Sequence, residues 1–351
     1  MEKSKVQNQN INYISLASLI SAIAVVFLHS NGVFWNFNAT AGYWKSANII
    51  ESVFYFAVPV FFMISGATLL DFNKRYNLKV YFSKRIHKTV IPYVFWSFIG
   101  LAFQIIYLKN IKITEVSVAY LANGLLSGKL VDIYWFFIPL FCLYLSIPLF
   151  AAVPKEKRKG IFTYLTAGTF ILNCFIPFLL NLFKIHINYS LSIGVGSGYL
   201  IYIMLGYLLS KYDISKSVRY LLYLLAVLGL VMHMAGTYIL SVNSGKIIDT
   251  FKGYVNVPCV LYSVGIFVLF RYSGEKIMKI NIVGKVVNFL SKYTFSMYLI
   301  HWYILQIMIK ELAINTKSIY YRAFSPFAVL IITVLFTSLI RKVPILRKIL
   351  P

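Results

Sequence analysis

Residues 11–33 read INYISLASLISAIAVVFLHSNGV, an apolar stretch long enough to cross the hydrocarbon core of a bilayer as one helix. The stretch contains a histidine, His29, near its end. An ionisable side chain in a membrane span is costly to bury, so it is by default a candidate functional residue. The segment therefore predicts a transmembrane helix with a site close to one surface of the membrane.

The rest of the chain repeats this apolar pattern. Of its 351 residues, 60% are hydrophobic, and the mean hydropathy is +0.76. The runs lack the period-two alternation of a β-barrel, so we predict an all-α polytopic membrane helical bundle, formed by residues 1–351 as a single domain. About ten transmembrane helices are expected by length, near residues 11–33, 47–70, 89–108, 131–153, 160–181, 196–210, 218–241, 254–271, 286–308 and 323–340.

The charges of the chain indicate its orientation. There are 34 Lys and Arg against 10 Asp and Glu, a formal net charge of +24. Most basic residues fall in every second loop, which is the pattern of the positive-inside rule and predicts that both termini are cytoplasmic. The expected partner of these side chains is the lipid bilayer and not nucleic acid. The longest outer loop, 109–129, is predicted to contain a short interfacial helix.

The sequence predicts no metal site. The five histidines are scattered, and no two are spaced as i and i+4 on a helix. The three cysteines, Cys142, Cys174 and Cys259, lie in or beside apolar runs, with spacings typical neither of a disulfide framework nor of a zinc ligand set. We interpret them as small apolar side chains in helices.

The first span suggests where His29 lies and what surrounds it. A helix rises by about 1.5 Å per residue, so His29 is about 27 Å into the span, in the outer part of the membrane. Ser15, Ser18, Ala22, Val25 and His29 recur at spacings of three and four and share one face of the helix. This stripe of small and polar side chains fits either close helix packing or a route for a substrate towards His29.

Three further side chains are candidates for a site near His29. Glu51 begins the second span, and a carboxylate beside an imidazole can orient the ring and raise its basicity; the alternative is an exposed interfacial glutamate. Trp135, near the outer end of the fourth span, fits substrate binding or the interfacial aromatic belt. His301 lies about 14 Å into the ninth span and is a second buried histidine, for substrate binding or for packing.

Arg85 and Lys88 lie at the cytoplasmic mouth of the third span, three residues apart. Basic side chains in this position can bind phosphate groups. They can equally anchor the helix to anionic lipid head groups. The residues alone leave both functions open.

Six motifs occur in an order that resembles the acyltransferase-3 family of integral membrane acyltransferases, over essentially the whole chain. The six motifs are AVVFLHS at 24–30, VPVFFMISGATLL at 58–70, the basic pair Arg85 and Lys88 followed by Pro92 and Tyr93, IYWFFIPLFCLYLSIPL at 133–149, YLIYIMLGYLLS at 199–210, and LSKYTFSMYLIH at 290–301.

This resemblance implies a membrane O-acyltransferase in a bacterial inner membrane. Its expected reaction moves an acyl group, expected to be acetyl, from cytoplasmic acyl-CoA to a hydroxyl of a cell-surface or lipid-linked carbohydrate. The resemblance implies that His29 is catalytic, and we expect Glu51 to act beside it. Arg85 and Lys88 are expected to bind the acyl-CoA donor, and Trp135 and His301 to contact the substrate.

Three positions depart from the family pattern. Ser18 stands eleven residues before His29, where the family usually has an arginine; Ser15 replaces an acidic residue, and Lys88 replaces the second arginine of the basic motif. An alternative interpretation is therefore a multi-pass transporter or exporter of a glycan or small molecule, without acyl transfer. A third is a structural component of a polysaccharide-assembly complex.

Overall fold

The computed structural model describes residues 2–196, 198–344 and 346–350, with side chains described from Tyr13 onwards. Helices make up 79% of the chain, and the described residues contain no β-strand. The prediction of an all-α membrane bundle is confirmed. The side chains of Lys3 and Lys5, which supported a cytoplasmic N-terminus, lie outside the described set, and the position of both termini stays a prediction.

The helices of the described ranges run along the chain in the following order. The first nine are α1 (Glu2–Ser30), α2 (Gly42–Phe54), α3 (Ala57–Leu69), α4 (Leu78–Arg85), α5 (Ile91–Phe103), α6 (Val118–Ser127), α7 (Phe137–Ala152), α8 (Lys155–Thr169) and α9 (Ile176–Leu182). They are followed by α10 (Leu200–Lys211), α11 (Lys216–Val231), α12 (Thr237–Ser244), α13 (Val257–Leu269), α14 (Glu275–Met278), α15 (Asn281–Leu290), α16 (Thr294–Glu311) and α17 (Ile319–Ile340). Segments of π-helix join α4 to α5, α8 to α9, α11 to α12 and α13 to α14.

Eight helical segments of the described chain are long and apolar enough to cross a membrane: Tyr13–Ser30, Gly42–Lys74, Leu78–Leu108, Asp132–Ala152, Lys155–Leu182, Lys216–Ser244, Val257–Met278 and Ile319–Ile340. They correspond to eight of the ten predicted spans. The other two predictions fall on α10, which has 12 residues, and on α15 and α16, which a 3-10 turn at Ser291–Tyr293 separates. The predicted helix within 109–129 is present as α6.

The short helix α10 lies directly against α3. A Cβ atom added to Gly66 would lie 2.0 Å from the carbonyl oxygen of Ile203, and one added to Gly206 would lie 2.0 Å from that of Met63. Only glycine permits the two backbones to approach this closely. The helix is therefore held by packing, which explains why an apolar run of only 12 residues forms part of the core.

The second predicted span is broken into α2 and α3 at Tyr55 and Phe56. Pro59 has no N–H group, so it cannot donate a helical hydrogen bond to the carbonyl of Tyr55, and its ring crowds that carbonyl. The break turns Tyr55 into the cavity described below. The bundle end at which α1 reaches His29 is called the His29 end, and the opposite end, where α3 leads into Asp71, is called the Asp71 end.

Candidate active site

The His29 end of the bundle joins two histidines that are 272 residues apart in the chain. His29 Nδ1 lies 2.7 Å from His301 Nε2. The two rings are nearly parallel, with an interplanar angle of 20° and centroids 4.9 Å apart. His301 is fully buried, at 0% exposure, whereas His29 is partly exposed and lines a cavity.

The hydrogen bonds of the pair determine which nitrogen of each neutral ring carries the proton. His301 Nδ1 lies 3.0 Å from the Met297 carbonyl oxygen and 2.8 Å from that of Tyr298, and a carbonyl can only accept. His301 Nδ1 therefore holds the proton, and its Nε2 accepts from the Nδ1–H of His29. His29 Nε2 then carries a free lone pair, and no described residue forms a hydrogen bond with it.

Three tyrosine hydroxyl groups form hydrogen bonds that hold the segment carrying His301 in place. Tyr298 Oη donates to the Ile133 carbonyl at 2.6 Å, and Tyr134 Oη donates to the Leu299 carbonyl at 2.6 Å. Tyr303 Oη donates to the carbonyl of Trp96 at 2.7 Å. Because these bonds tie α16 to α5 and to the segment before α7, the position of the His301 ring is fixed relative to the cavity wall.

The cavity beside His29 has a volume of about 240 Å³. Its wall combines an imidazole, an acid, a base and several aromatic rings: His29, Glu51, Lys252, Trp35, Tyr55, Trp135, Tyr254 and Tyr298, with Val25, Leu28, Val58, Ile133 and Phe136. A mostly apolar pocket with a few convergent polar groups is the expected form of a small-molecule site. The described residues contain no group of three or more His, Cys, Asp or Glu placed to hold a metal ion.

An ion pair forms one side of this cavity. Lys252 Nζ lies 2.6 Å from Glu51 Oε1, and the two residues are only 6% and 5% exposed. The ammonium group also lies 3.8 Å from the centre of the Tyr55 ring and 5.0 Å from that of Trp35. The pair therefore places a donor and an acceptor in the wall while leaving that wall without net charge.

Aromatic rings form another side of the cavity. Tyr254 stacks between Tyr55, at 4.3 Å, and Trp135, at 5.5 Å between ring centres. Burial, followed by the Glu51 carboxylate, raises the pKa of the Tyr254 hydroxyl well above its usual value, so this hydroxyl stays protonated and can donate. Gly253, with φ of 151°, adopts a backbone conformation that other residues rarely take, and it directs Lys252 and Tyr254 to the cavity.

A second cavity, of about 170 Å³, lies next to the first. Phe136 and Tyr298 line both. The second cavity extends to Thr89 and Tyr144, and the guanidinium of Arg85 lies 5.3 Å from the centre of the Tyr144 ring. Lys88 is exposed nearby, in the π-helical turn Ile86–Val90. Two adjacent cavities thus lie between the surroundings of Arg85 and His29.

The structure brings four of the predicted site residues together, and two of them have contacts other than those predicted. His29, Glu51 and Trp135 line one cavity, and His301 contacts His29 from behind it. The predicted partner of the His29 ring was Glu51, but His301 makes that contact and Glu51 binds Lys252. His301 was predicted to contact substrate; it is fully buried, does not line the cavity and contacts the ring of His29.

The small-residue stripe of α1 contributes both to helix packing and to the cavity wall. Ala22 is buried in a cluster with Met297 and Leu305. Only Val25 and His29 of the stripe line the cavity. Residues of α3, of the π-helical turn before α5, of α7 with the turn before it and of α16 line the second cavity, which shares Phe136 and Tyr298 with the first.

Sequence reasoning missed Trp35, Tyr55, Lys252 and Tyr254 as cavity residues. Lys252 and Tyr254 lie in the loop between α12 and α13, where the sequence predicted no site residue. A signal existed in the FKGYV segment, where a lysine and a tyrosine flank a glycine close to the start of an apolar run. Its partner Glu51 is 201 residues away, so no local spacing could have revealed the pair.

A polytopic helical bundle with a histidine on a cavity is typical of an integral membrane protein with a functional site. Residues 11–340 match the family model described as an acyltransferase domain, so the chain belongs to the acyltransferase-3 family and is a membrane acyltransferase. A search of curated proteins and a search of solved structures each find no match.

Proposed function

We propose that this protein transfers an acyl group, expected to be acetyl, from cytoplasmic acyl-CoA to a hydroxyl of a cell-surface or lipid-linked carbohydrate, and that it acts in a bacterial inner membrane. The observation that carries the proposal is the His29–His301 hydrogen bond, because it leaves His29 Nε2 unprotonated in a residue that lines the cavity. An imidazole nitrogen in this state can accept a proton from an attacking hydroxyl.

The donor would approach from the Asp71 end. Arg85 and Lys88 offer fixed positive charge for the phosphates of acyl-CoA, and the planar guanidinium suits bidentate contacts. The pantetheine arm would pass Tyr144 and Thr89 into the second cavity and bring the thioester to the wall shared with the first. This path does not require the arginine that Ser18 replaces.

The acceptor would approach from the His29 end. As its hydroxyl oxygen attacks the thioester carbonyl, the hydroxyl proton moves to His29 Nε2. The C–S bond then breaks, and the proton passes from Nε2 to the departing thiolate, which yields an ester and free CoA. His301 Nε2 holds the Nδ1–H of His29 throughout and stabilises the ring while it is positively charged.

The same geometry supports a second route, in which His29 Nε2 attacks the thioester and carries the acyl group before it passes to the hydroxyl. The two routes differ in one observable. Only the second leaves the acyl group on the protein when donor is supplied without acceptor, so acid quenching and mass spectrometry of the His29 peptide distinguish them.

The test uses inverted membrane vesicles from cells that produce the chain, supplied with [14C]acetyl-CoA, and also with labelled succinyl-CoA and longer acyl-CoA. Wild-type vesicles should incorporate label into carbohydrate as an ester that mild alkali releases. His29→Ala should abolish incorporation, whereas His186→Ala, at an exposed histidine, should not change it.

Normal labelling by His29→Ala at an unchanged protein level would overturn the role of His29. Export of an unlabelled glycan by wild-type vesicles, with no label transferred from any donor, would instead support the transporter alternative. Loss of the polymer itself on deletion of the chain would indicate a structural component of an assembly complex.

A further inference from the structure

The ion pair between Glu51 and Lys252 has no part in the proton transfer described above. Lys252 comes from the loop before α13 and Glu51 from α2, and both line the cavity beside His29. Removing two charges from water is expensive, and a buried ion pair is often no more stabilising than apolar side chains of the same size. Its presence in a cavity wall therefore points to a ligand.

The pair retains unused hydrogen-bonding capacity. An ammonium group has three N–H donors, and in the described structure Lys252 Nζ uses one, towards Glu51. The ammonium group also lies near three ring centres, those of Tyr55 at 3.8 Å, Trp35 at 5.0 Å and Phe34 at 5.3 Å. Glu51 Oε2 accepts no hydrogen bond from any described residue. A bound molecule can thus donate to the carboxylate and accept from the ammonium at the same place.

We propose that Glu51 and Lys252 bind the acceptor through hydroxyl groups next to the one that is acylated, and that they select a neutral sugar over an acidic one. This inference rests on the proposed function. A sugar hydroxyl both donates and accepts, so it matches a paired carboxylate and ammonium. An acidic group on the acceptor, such as the carboxylate of a uronic acid or a phosphate, would instead be repelled by the Glu51 carboxylate, because the ammonium group of Lys252 is already paired with Glu51.

The aromatic wall supports the same class of acceptor. Trp35, which is 61% exposed, and Trp135 both line the cavity. The C–H faces of a pyranose ring are apolar and can pack on such rings while its hydroxyls reach the polar groups. The ion pair carries no net charge, and aromatic rings line the cavity beside it. These two features together fit a neutral pyranose better than a polyanion.

The first experiment measures the KM of the acceptor and of acetyl-CoA separately, with alkali-de-esterified surface glycan from the producing cells as the acceptor. Glu51→Gln and Lys252→Met should each raise the acceptor KM about tenfold to hundredfold, the cost of a lost charged hydrogen bond, and leave the KM for acetyl-CoA unchanged. Exposed residues provide the matched controls, Glu115→Gln and Lys246→Met, and neither should change the acceptor KM.

The double variant distinguishes acceptor binding by the Glu51–Lys252 pair from a purely structural role of that pair. In Glu51→Gln with Lys252→Met neither charge is left unpaired, so folding and acceptor KM should both recover if the pair only stabilises the protein. If the pair binds the acceptor, the acceptor KM stays raised in the double variant. Recovery of the acceptor KM would therefore overturn the proposal.

The second experiment tests selectivity, with the de-esterified glycan separated by anion exchange into neutral and acidic fractions that compete for label. The wild type should acylate the neutral fraction. Glu51→Gln leaves Lys252 unpaired, so the ratio of neutral to acidic product should fall about tenfold. Preference of the wild type for the acidic fraction, or an unchanged ratio in Glu51→Gln, would overturn the inference. Absence of label in both fractions would count against the proposed function itself.

Discussion

Among the described residues, two ion pairs have a basic partner that is almost fully buried, and they lie at opposite ends of the bundle. At the Asp71 end, Arg158 is 1% exposed and lies 3.0 Å from Asp71. Its guanidinium also donates to the carbonyls of Leu70, Ala151 and Val153 and to the hydroxyl of Tyr207. At the His29 end, Lys252 donates one hydrogen bond, to Glu51.

The difference fits a structural contact at the Asp71 end and the proposed acceptor contact at the His29 end. The donors of Arg158 are taken up by the residues just after α3, by the end of α7 and by Tyr207 of α10, so this residue holds the ends of several helices together and has little capacity left for a ligand. Lys252 lines a cavity and uses only one of its three N–H donors, towards Glu51. We therefore expect substitutions at the Asp71 end to reduce stability and substitutions at the His29 end to reduce activity.

Arg158→Met should have the largest effect on stability. It leaves Asp71 and three carbonyls without their buried donor, so the free energy of unfolding should fall by about 3–5 kcal/mol. Denaturant unfolding of the solubilised protein measures this change. Lys157→Met, at an exposed position of the same helix, should stay within about 0.5 kcal/mol of the wild type. Equal stability of the two variants would contradict the role of Arg158.

His301→Phe should show the opposite pattern, a large loss of activity in a folded protein. Without the acceptor at His301 Nε2, the proton of His29 is no longer held on Nδ1, and the rate of acyl transfer should fall about a hundredfold. His301→Gln retains a carbonyl oxygen that can accept from Nδ1–H, so it should recover part of kcat. Equal activity of the Phe and Gln variants would indicate that His301 only fills space.

Lys252→Met gives the sharpest comparison with Arg158→Met, because both remove the cation of a buried pair. Water in the cavity can solvate the remaining Glu51 carboxylate, so the free energy of unfolding should fall by about 1–2 kcal/mol only. Denaturant unfolding under the same conditions compares the two variants. A loss as large as that of Arg158→Met would remove the distinction between the two ends.

The sequence predicted the helical bundle well, because long apolar runs determine spans locally. The count of about ten spans is not confirmed: eight helical segments of the described chain are long and apolar enough to cross a membrane, and α10 is a shorter apolar helix packed against α3 at Gly66 and Gly206. The sequence marked His29 as a candidate because it is a histidine in an apolar helix. Its partner was not predicted, since two side chains 272 residues apart meet only through the packing of α1 and α16.

The prediction of Trp135 as a substrate-binding residue can be tested by the smallest of these effects. Trp135 stacks on Tyr254 and lines the cavity, so Trp135→Leu should weaken acceptor binding by about 0.5–1.5 kcal/mol, a rise of about twofold to tenfold in acceptor KM. Trp302→Leu is the matched control, because Trp302 packs on Phe103 and does not line the cavity. The KM for acetyl-CoA should be unchanged in both variants. An equal rise in acceptor KM for the two would show that loss of a large ring anywhere in the bundle loosens the site, and the aromatic wall would then have no specific part in binding the acceptor.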